Sequence, residues 1–191
     1  INSDAVAGVT LTSAGAAATA PVAGSAYSIV PSAATGTGLS NYSLTYANGA
    51  LTVTQKALAV VNTDRSKVYG DVLTNADFSG SITGIQNGDN ITLMRSSTGS
   101  AATASTTTTY PIVATLSDPD SKLANYTVTN TNGTLTVTQK ALTITAADRS
   151  KTYGDAVTFA GTEFSATGLI NSDAVTAVTL TSAGAAATAT V

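Results

Sequence analysis

The chain has 191 residues; hydrophobic residues make up 43% of it and charged residues 10%, and its formal net charge is −3. It contains no Cys, His or Trp and one Met. These counts exclude a disulfide scaffold, a metal site built on Cys or His, a Ser-His-Asp or Cys-His catalytic centre, and a basic face for nucleic acid. In chain order, Val9-Thr10-Leu11-Thr12 alternates apolar and polar residues as a half-buried strand does. The Ala-rich run 14–20 contains Gly15, is short and stops at Pro21, so it reads as a loop or extended connection. Tyr27-Ser28-Ile29-Val30 is the next strand, and 42–46 puts Tyr42, Leu44 and Tyr46 on one face of another. Asn48-Gly49, ahead of Leu51-Thr52-Val53-Thr54, predicts a two-residue hairpin, because both residues tolerate positive φ. In Ala57-Leu58-Ala59-Val60, Leu58 and Val60 share a face. Ser66 and Lys67 are neighbours on a strand and point to opposite faces, so they read as an exposed polar strand end and not a proton-sharing dyad. Tyr69-Gly70-Asp71 reads as a tight turn with Tyr packed at its corner. Strands at 110–113, 141–144 and 178–181, a hairpin at Asn132-Gly133 and a turn at Tyr153-Gly154-Asp155 complete the set. No segment sustains a helical period and none approaches the length of apolar run that crosses a bilayer, so the chain reads as all-β without membrane insertion.

The same landmarks return along the chain. Thr52-Val53-Thr54-Gln55-Lys56-Ala57-Leu58 recurs as Thr136-Val137-Thr138-Gln139-Lys140-Ala141-Leu142, at an offset of 84. Asp64-Arg65-Ser66-Lys67, Tyr69-Gly70-Asp71, Asn41-Tyr42 and Asn48-Gly49 recur at the same offset. Ile1-Asn2-Ser3-Asp4-Ala5-Val6 recurs as Ile170-Asn171-Ser172-Asp173-Ala174-Val175, at an offset of 169. The chain therefore divides into 1–56, the later two-thirds of a copy; 57–140, a complete copy; and 141–191, the earlier part of a third. A period of this length suits a small β domain better than a solenoid turn, and predicts a segment of a longer tandem array. Gln55-Lys56-Ala57 and Gln139-Lys140-Ala141 are its short linkers.

Within a copy, the run from Ala141 through Asp148-Arg149-Ser150-Lys151 to Tyr153-Gly154-Asp155 is followed by Phe164-Ser165-Ala166-Thr167-Gly168-Leu169 and Asn171-Ser172-Asp173. The earlier copy supplies Gly38-Leu39-Ser40-Asn41-Tyr42 and Asn48-Gly49-Ala50-Leu51-Thr52-Val53-Thr54. In this order the motifs resemble the MBG repeat of the Tyr-Gly type, found in tandem in very large bacterial surface proteins, filamentous-haemagglutinin-like adhesins among them. The resemblance covers the whole chain. It implies tandem all-β modules, β-grasp-like or Ig-like sandwich units, in an elongated rod on the bacterial cell surface. The middle copy departs from the pattern at Gln86-Asn87-Gly88-Asp89, Leu93-Met94-Arg95-Ser96, Thr106 to Thr109 and Asp118-Pro119-Asp120.

The chemistry on offer is sparse. Asp118 and Asp120 are the only suggestion of calcium ligands, at a spacing no EF-hand loop uses; a Pro-containing turn explains them as well. No other cofactor is expected. With one Glu, Glu163, and no recurring Asp pair, no enzyme is expected either. The leading expectation is an extracellular stalk segment whose partners are neighbouring repeats of its own chain. The alternatives are binding of host glycans, mucin or surface proteins through exposed variable residues such as Met94, Arg95 and Thr106 to Thr109, or self-association into filaments along sheet edges.

Overall fold

The computed structural model describes residues 3–190; Ile1 and Asn2, which open the terminal motif, lie outside the described residues, as does Val191. The chain is all-β. Its strands are β1 (Ala5–Thr12), β2 (Tyr27–Thr37), β3 (Gly49–Leu51), β4 (Lys56–Asn62), β5 (Arg65–Val68), β6 (Gly80–Thr83), β7 (Thr92–Ser96), β8 (Thr109–Ser117), β9 (Tyr126–Thr131), β10 (Gly133–Thr138), β11 (Thr143–Ala146) and β12 (Phe164–Thr167). Thr is the commonest residue in these segments, and its branched Cβ loses less freedom on a pleated surface than in a helix. Helical structure among the described residues is confined to three-residue 3-10 turns.

Two compact units form, and they do not follow the copy boundaries. The first runs from the chain start to Thr63 and adds Phe78–Ser96 and Ile112–Gly133. Within it β1 pairs antiparallel with β2, and β2 with β3. β4 is paired on both sides, antiparallel to β6 and parallel to β9, with Lys56 opposite Tyr126 and Val61 opposite Thr131. β7 pairs antiparallel with β8. Leu58, Ile91 and Tyr126 form the core here, with Ile82, Ile85, Leu116 and Leu123 packed against it. Leu58 and Val60 are both 0% exposed, as their shared face requires. Burying each stabilises the unit by roughly 1.5–3 kcal/mol.

The second unit comprises Asp64–Asp77, Ser97–Pro111 and the chain from Thr134 onward. β5 runs parallel to β10, with Arg65 opposite Leu135 and Val68 opposite Thr138. β11 pairs antiparallel with β12 in the register of β4 with β6: Thr143 faces Thr167 as Ala59 faces Thr83. Buried Leu135, Val137 and Ala104 form its interior.

Several local expectations are corrected. Neither Asn-Gly pair makes a hairpin, and none of the four residues has a positive φ. At Asn132-Gly133 the chain leaves β9, which pairs with β4, and enters β10, which pairs with β5. Gly is needed there for close approach: a Cβ on Gly133 would stand 2.5 Å from the carbonyl oxygen of Thr63. The segment 42–46 is not a strand, although its counterpart in the complete copy is β9. β9 exists because β4 lies beside it, and the first copy in this chain has no counterpart of β4. Residues 178–181 stay out of any strand in the same way: the matching β7 pairs with β8, whose counterpart the third copy does not include. Leu142, Ile144, Tyr42, Tyr46 and Tyr153 are exposed, and of the tyrosines only Tyr126 is fully buried. The run 14–20 is a loop that opens on a 3-10 turn at Ala14–Ala16, and the matching segments turn in the same way at Thr98–Ser100 and Ala183–Ala185. In each, the preceding Ser accepts the amide of the central Gly through its hydroxyl, the local bond that favours Ser at such starts.

Candidate functional site

The places where one copy meets the next share one contact. Asn87 of the second copy donates from Nδ2 to the carbonyl of Ala18 in the first, at 3.0 Å. Asn171 of the third copy donates in the same way to Ala102 of the second, also at 3.0 Å. Both partners are shifted by the repeat offset of 84, so one side-chain amide bridges consecutive copies at both junctions.

The first junction adds three more bonds. The Val22 amide donates to Oδ1 of Asn125 at 2.9 Å, Gln55 donates from Nε2 to the carbonyl of Ala124 at 3.1 Å, and Thr127 donates to Oε1 of Gln55 at 3.0 Å. Gln55 is thus held from both ends of its side-chain amide. Four residues, Thr52 to Gln55, separate β3 from β4, and four, Gln139 to Leu142, separate β10 from β11. The linkers are short but are not continuous strand.

At the second junction the receiving surface is the Tyr69-Gly70-Asp71 turn. The Asp71 amide donates to the carbonyl of Val68 and closes the turn at 3.1 Å, and Gly70 takes φ +99°, a left-handed conformation that glycine adopts without cost. The Gly70 amide donates to the carbonyl of Ala102, which also accepts Asn171. A Cβ on Gly70 would collide with Cδ1 of Ile170 from the third copy. Tyr69 is half-buried, and its amide bonds the carbonyl of Thr138 at 2.9 Å. The turn therefore seats the Ile170-Asn171 pair of the following copy.

Beneath the turn lies Lys67, only 5% exposed. Its ammonium donates to the carbonyls of Asp71, at 2.8 Å, and Ala101. Burial pushes its pKa below the ordinary lysine value, and the nearby charges of Asp71 and Tyr110 partly offset this. The expected exposed strand end is instead a buried cation tying the turn to the Ala-rich segment. Lys151 repeats both bonds, to Asp155 and Ala186.

A second recurring pair links Tyr to Asp. Tyr42 donates to Oδ2 of Asp4 at 3.0 Å, and Tyr126 to Oδ2 of Asp89 at 2.6 Å. Burial, and then the hydrogen bond to Asp89, raise the Tyr126 phenol above its ordinary value of 10.0; the bond from the Gln86 amide acts the other way.

The remaining candidates serve turns and packing. Asp118 accepts the amides of Lys122 and Leu123 at 2.8 Å each, so both carboxylate oxygens hold the turn at Leu123–Asn125. Asp120 is exposed, and no group of three acidic side chains placed to hold a metal occurs among the described residues. Met94 is exposed, but Arg95 is not a free surface residue: its Nε donates to Oδ1 of buried Asn62 at 2.9 Å. Asn62 donates on to Asn130 and to the carbonyl of Thr131, and Asn130 to the carbonyl of Ala114. This network joins residues peculiar to the middle copy, since Ala146 replaces Asn62 in the third and Tyr46 replaces Asn130 in the first. Sequence reasoning missed Asn87 and Asn171 as bridging residues; the signal was an Asn retained at the repeat spacing while its neighbours changed from Gln86 and Gly88 to Ile170 and Ser172.

No curated protein and no solved structure matches the chain. A family model does, that of the MBG domain (YGX type), over residues 58–136, inside the complete copy. The Tyr69-Gly70-Asp71 turn lies within the matched residues. Residues 58–136 are thus similar to the MBG domain (YGX type).

Proposed function

We propose that the chain is a non-enzymatic stalk segment of a large bacterial cell-surface adhesin, in which successive copies dock and carry a distal binding head away from the cell. MBG domains are associated with surface adhesin-like repeats and occur in extracellular surface proteins, which supports this reading. No helix among the described residues is long and apolar enough to cross a membrane. The observation that carries the proposal is the Asn-to-carbonyl bond found at both junctions, Asn87 to Ala18 and Asn171 to Ala102. A spacer needs each copy to meet the next in one way, and a short linker alone leaves that orientation open. A side-chain amide fixed to a backbone carbonyl selects one orientation, and about 0.5–1.5 kcal/mol per bond is enough to bias it. Low charge and a Thr-rich surface suit a spacer that must not adhere along its length. Small-angle scattering of the chain in dilute solution tests the proposal. A semi-rigid rod profile is expected; a flexible-coil profile or a collapsed globule contradicts it.

A further inference from the structure

The two bridging Asn residues sit on the same kind of turn. Asn87 and Gly88 take φ +54° and +70°, and the Asp89 amide donates to the Gln86 carbonyl at 2.9 Å, so both central residues are left-handed as a type I′ turn requires. Asn171 and Ser172 take +52° and +65°, and the Asp173 amide donates to the Ile170 carbonyl at 2.8 Å. Both tips are exposed, including the one whose Ile170 lies against Gly70, so exposure belongs to the turn itself. The tips differ at one position, Gly88 against Ser172. A Cβ on Gly88 would meet nothing within 4 Å, so its backbone has open space around it. The chain holds two other Asn-Gly pairs, but Gly49 lies in β3 opposite Ile29, and Gly133 is buried at the start of β10. The flanks of the Asn87 turn are pinned instead: the Gln86 amide donates to the Tyr126 phenol at 2.9 Å, and the phenol donates to Asp89 at 2.6 Å. Only its tip is open.

We propose that Asn87 is a site of spontaneous deamidation, and that the acid formed there opens the first junction while the second stays closed. The backbone nitrogen of Gly88 attacks Cγ of Asn87. The new N–C bond closes a succinimide ring, the Cγ–Nδ2 bond breaks, and the side-chain nitrogen leaves as ammonia with the proton that Gly88 gives up. Water then opens the ring. Addition at Cγ gives Asp; addition at the backbone carbonyl gives isoaspartate, which carries the chain through the former side chain. Water has replaced ammonia, and nothing is oxidised or reduced. Gly88 favours the step because it has no Cβ to crowd the closing ring, whereas Ser172 crowds the same step at Asn171. The product reverses the chemistry of the bridge. Asn87 donates from Nδ2 to the carbonyl of Ala18, but a carboxylate can only accept, so one oxygen then faces another. Asn171 keeps its amide and its bond to Ala102. The opening rests on the stalk reading, which takes this bond as what orients the copies; the deamidation does not.

Ageing the full chain in mildly alkaline buffer, which speeds loss of the Gly88 amide proton, is the test. Peptide mass spectrometry and backbone 15N relaxation are read on the same samples over time. The Asn87 peptide should be mostly acid while those of Asn48, Asn132 and Asn171 are still mostly amide. Gly88→Ser installs the residue that the equivalent turn carries at Ser172, and should slow Asn87 to the pace of Asn171. As Asn87 converts, order parameters at Gln55-Lys56-Ala57 should fall while those at Gln139-Lys140-Ala141 hold. Asn87→Asp should show the loosened first linker without ageing. Conversion of Asn87 no faster than that of Asn171 overturns the proposal, as does a first linker that keeps its order once Asn87 is acid. Failure of the stalk reading looks different: the first linker is then mobile in the fresh chain, before any amide is lost. That result overturns the opening too, while early conversion of Asn87 would still establish the modification.

Discussion

Lys67 and Tyr126 show how a chain so poor in charge uses the little it has. Lys67 spends its ammonium on the carbonyls of Asp71 and Ala101. Replacing it with Met leaves those acceptors without their donor and is expected to cost roughly 1–3 kcal/mol in urea unfolding. Lys151→Met should cost less, because Lys151 is only half-buried and water can replace it. Tyr126 acts through protonation. Its folded pKa lies above 10.0, so above that pH the unfolded chain loses the phenolic proton first and holds fewer protons than the native state. Stability then falls as pH rises. Lys67 acts in the opposite sense, since its lowered pKa makes the native state hold fewer protons than the unfolded chain. The stability difference between the native chain and Tyr126→Phe isolates the phenol, and it should shrink as pH climbs past 10.0. A difference that stays constant with pH would show that the phenol remains protonated in neither state preferentially.

At the scale of elements, pairing partners decide what local pattern only permits. Residues 42–46 and 126–131 both carry strand signals, yet only the second set finds a β4 beside it. The Asn-Gly pairs show the limit of turn chemistry. The dipeptide permits a positive-φ hairpin, but at Asn132-Gly133 the neighbours require the chain to change partners beneath the Thr63 carbonyl. Gly133→Val should therefore cost roughly 1–3 kcal/mol through overpacking. Asn132→Ala should stay within about 0.5 kcal/mol, because no left-handed residue is needed there. Equal and large losses in chemical denaturation would restore the hairpin. Leu58 and Val60 were legible from alternation alone, and so was the Tyr-Gly-Asp turn. The buried Lys67 and the bridging Asn residues were not, because alternation places a side chain on a face without naming the carbonyl it meets. A chain extended past Val191 by the sequence of residues 107–140 gives 178–181 the partner they lack. Their amides should then become protected from hydrogen exchange; unchanged exchange would contradict the partner argument.

For the molecule as a whole, the copies matter less as separate domains than as parts of units that cross the copy boundaries. Each unit joins a partial copy to a portion of the complete one, and each contains one Asn bridge. The two junctions share a side-chain amide bonded to a backbone carbonyl, and the second adds the Gly70 turn. The most direct test is backbone 15N relaxation across the two linkers, at Gln55-Lys56-Ala57 and Gln139-Lys140-Ala141. Docked junctions predict order parameters near those of rigid strands, about 0.85, at both linkers. Values below about 0.6 at either linker would contradict a docked stalk.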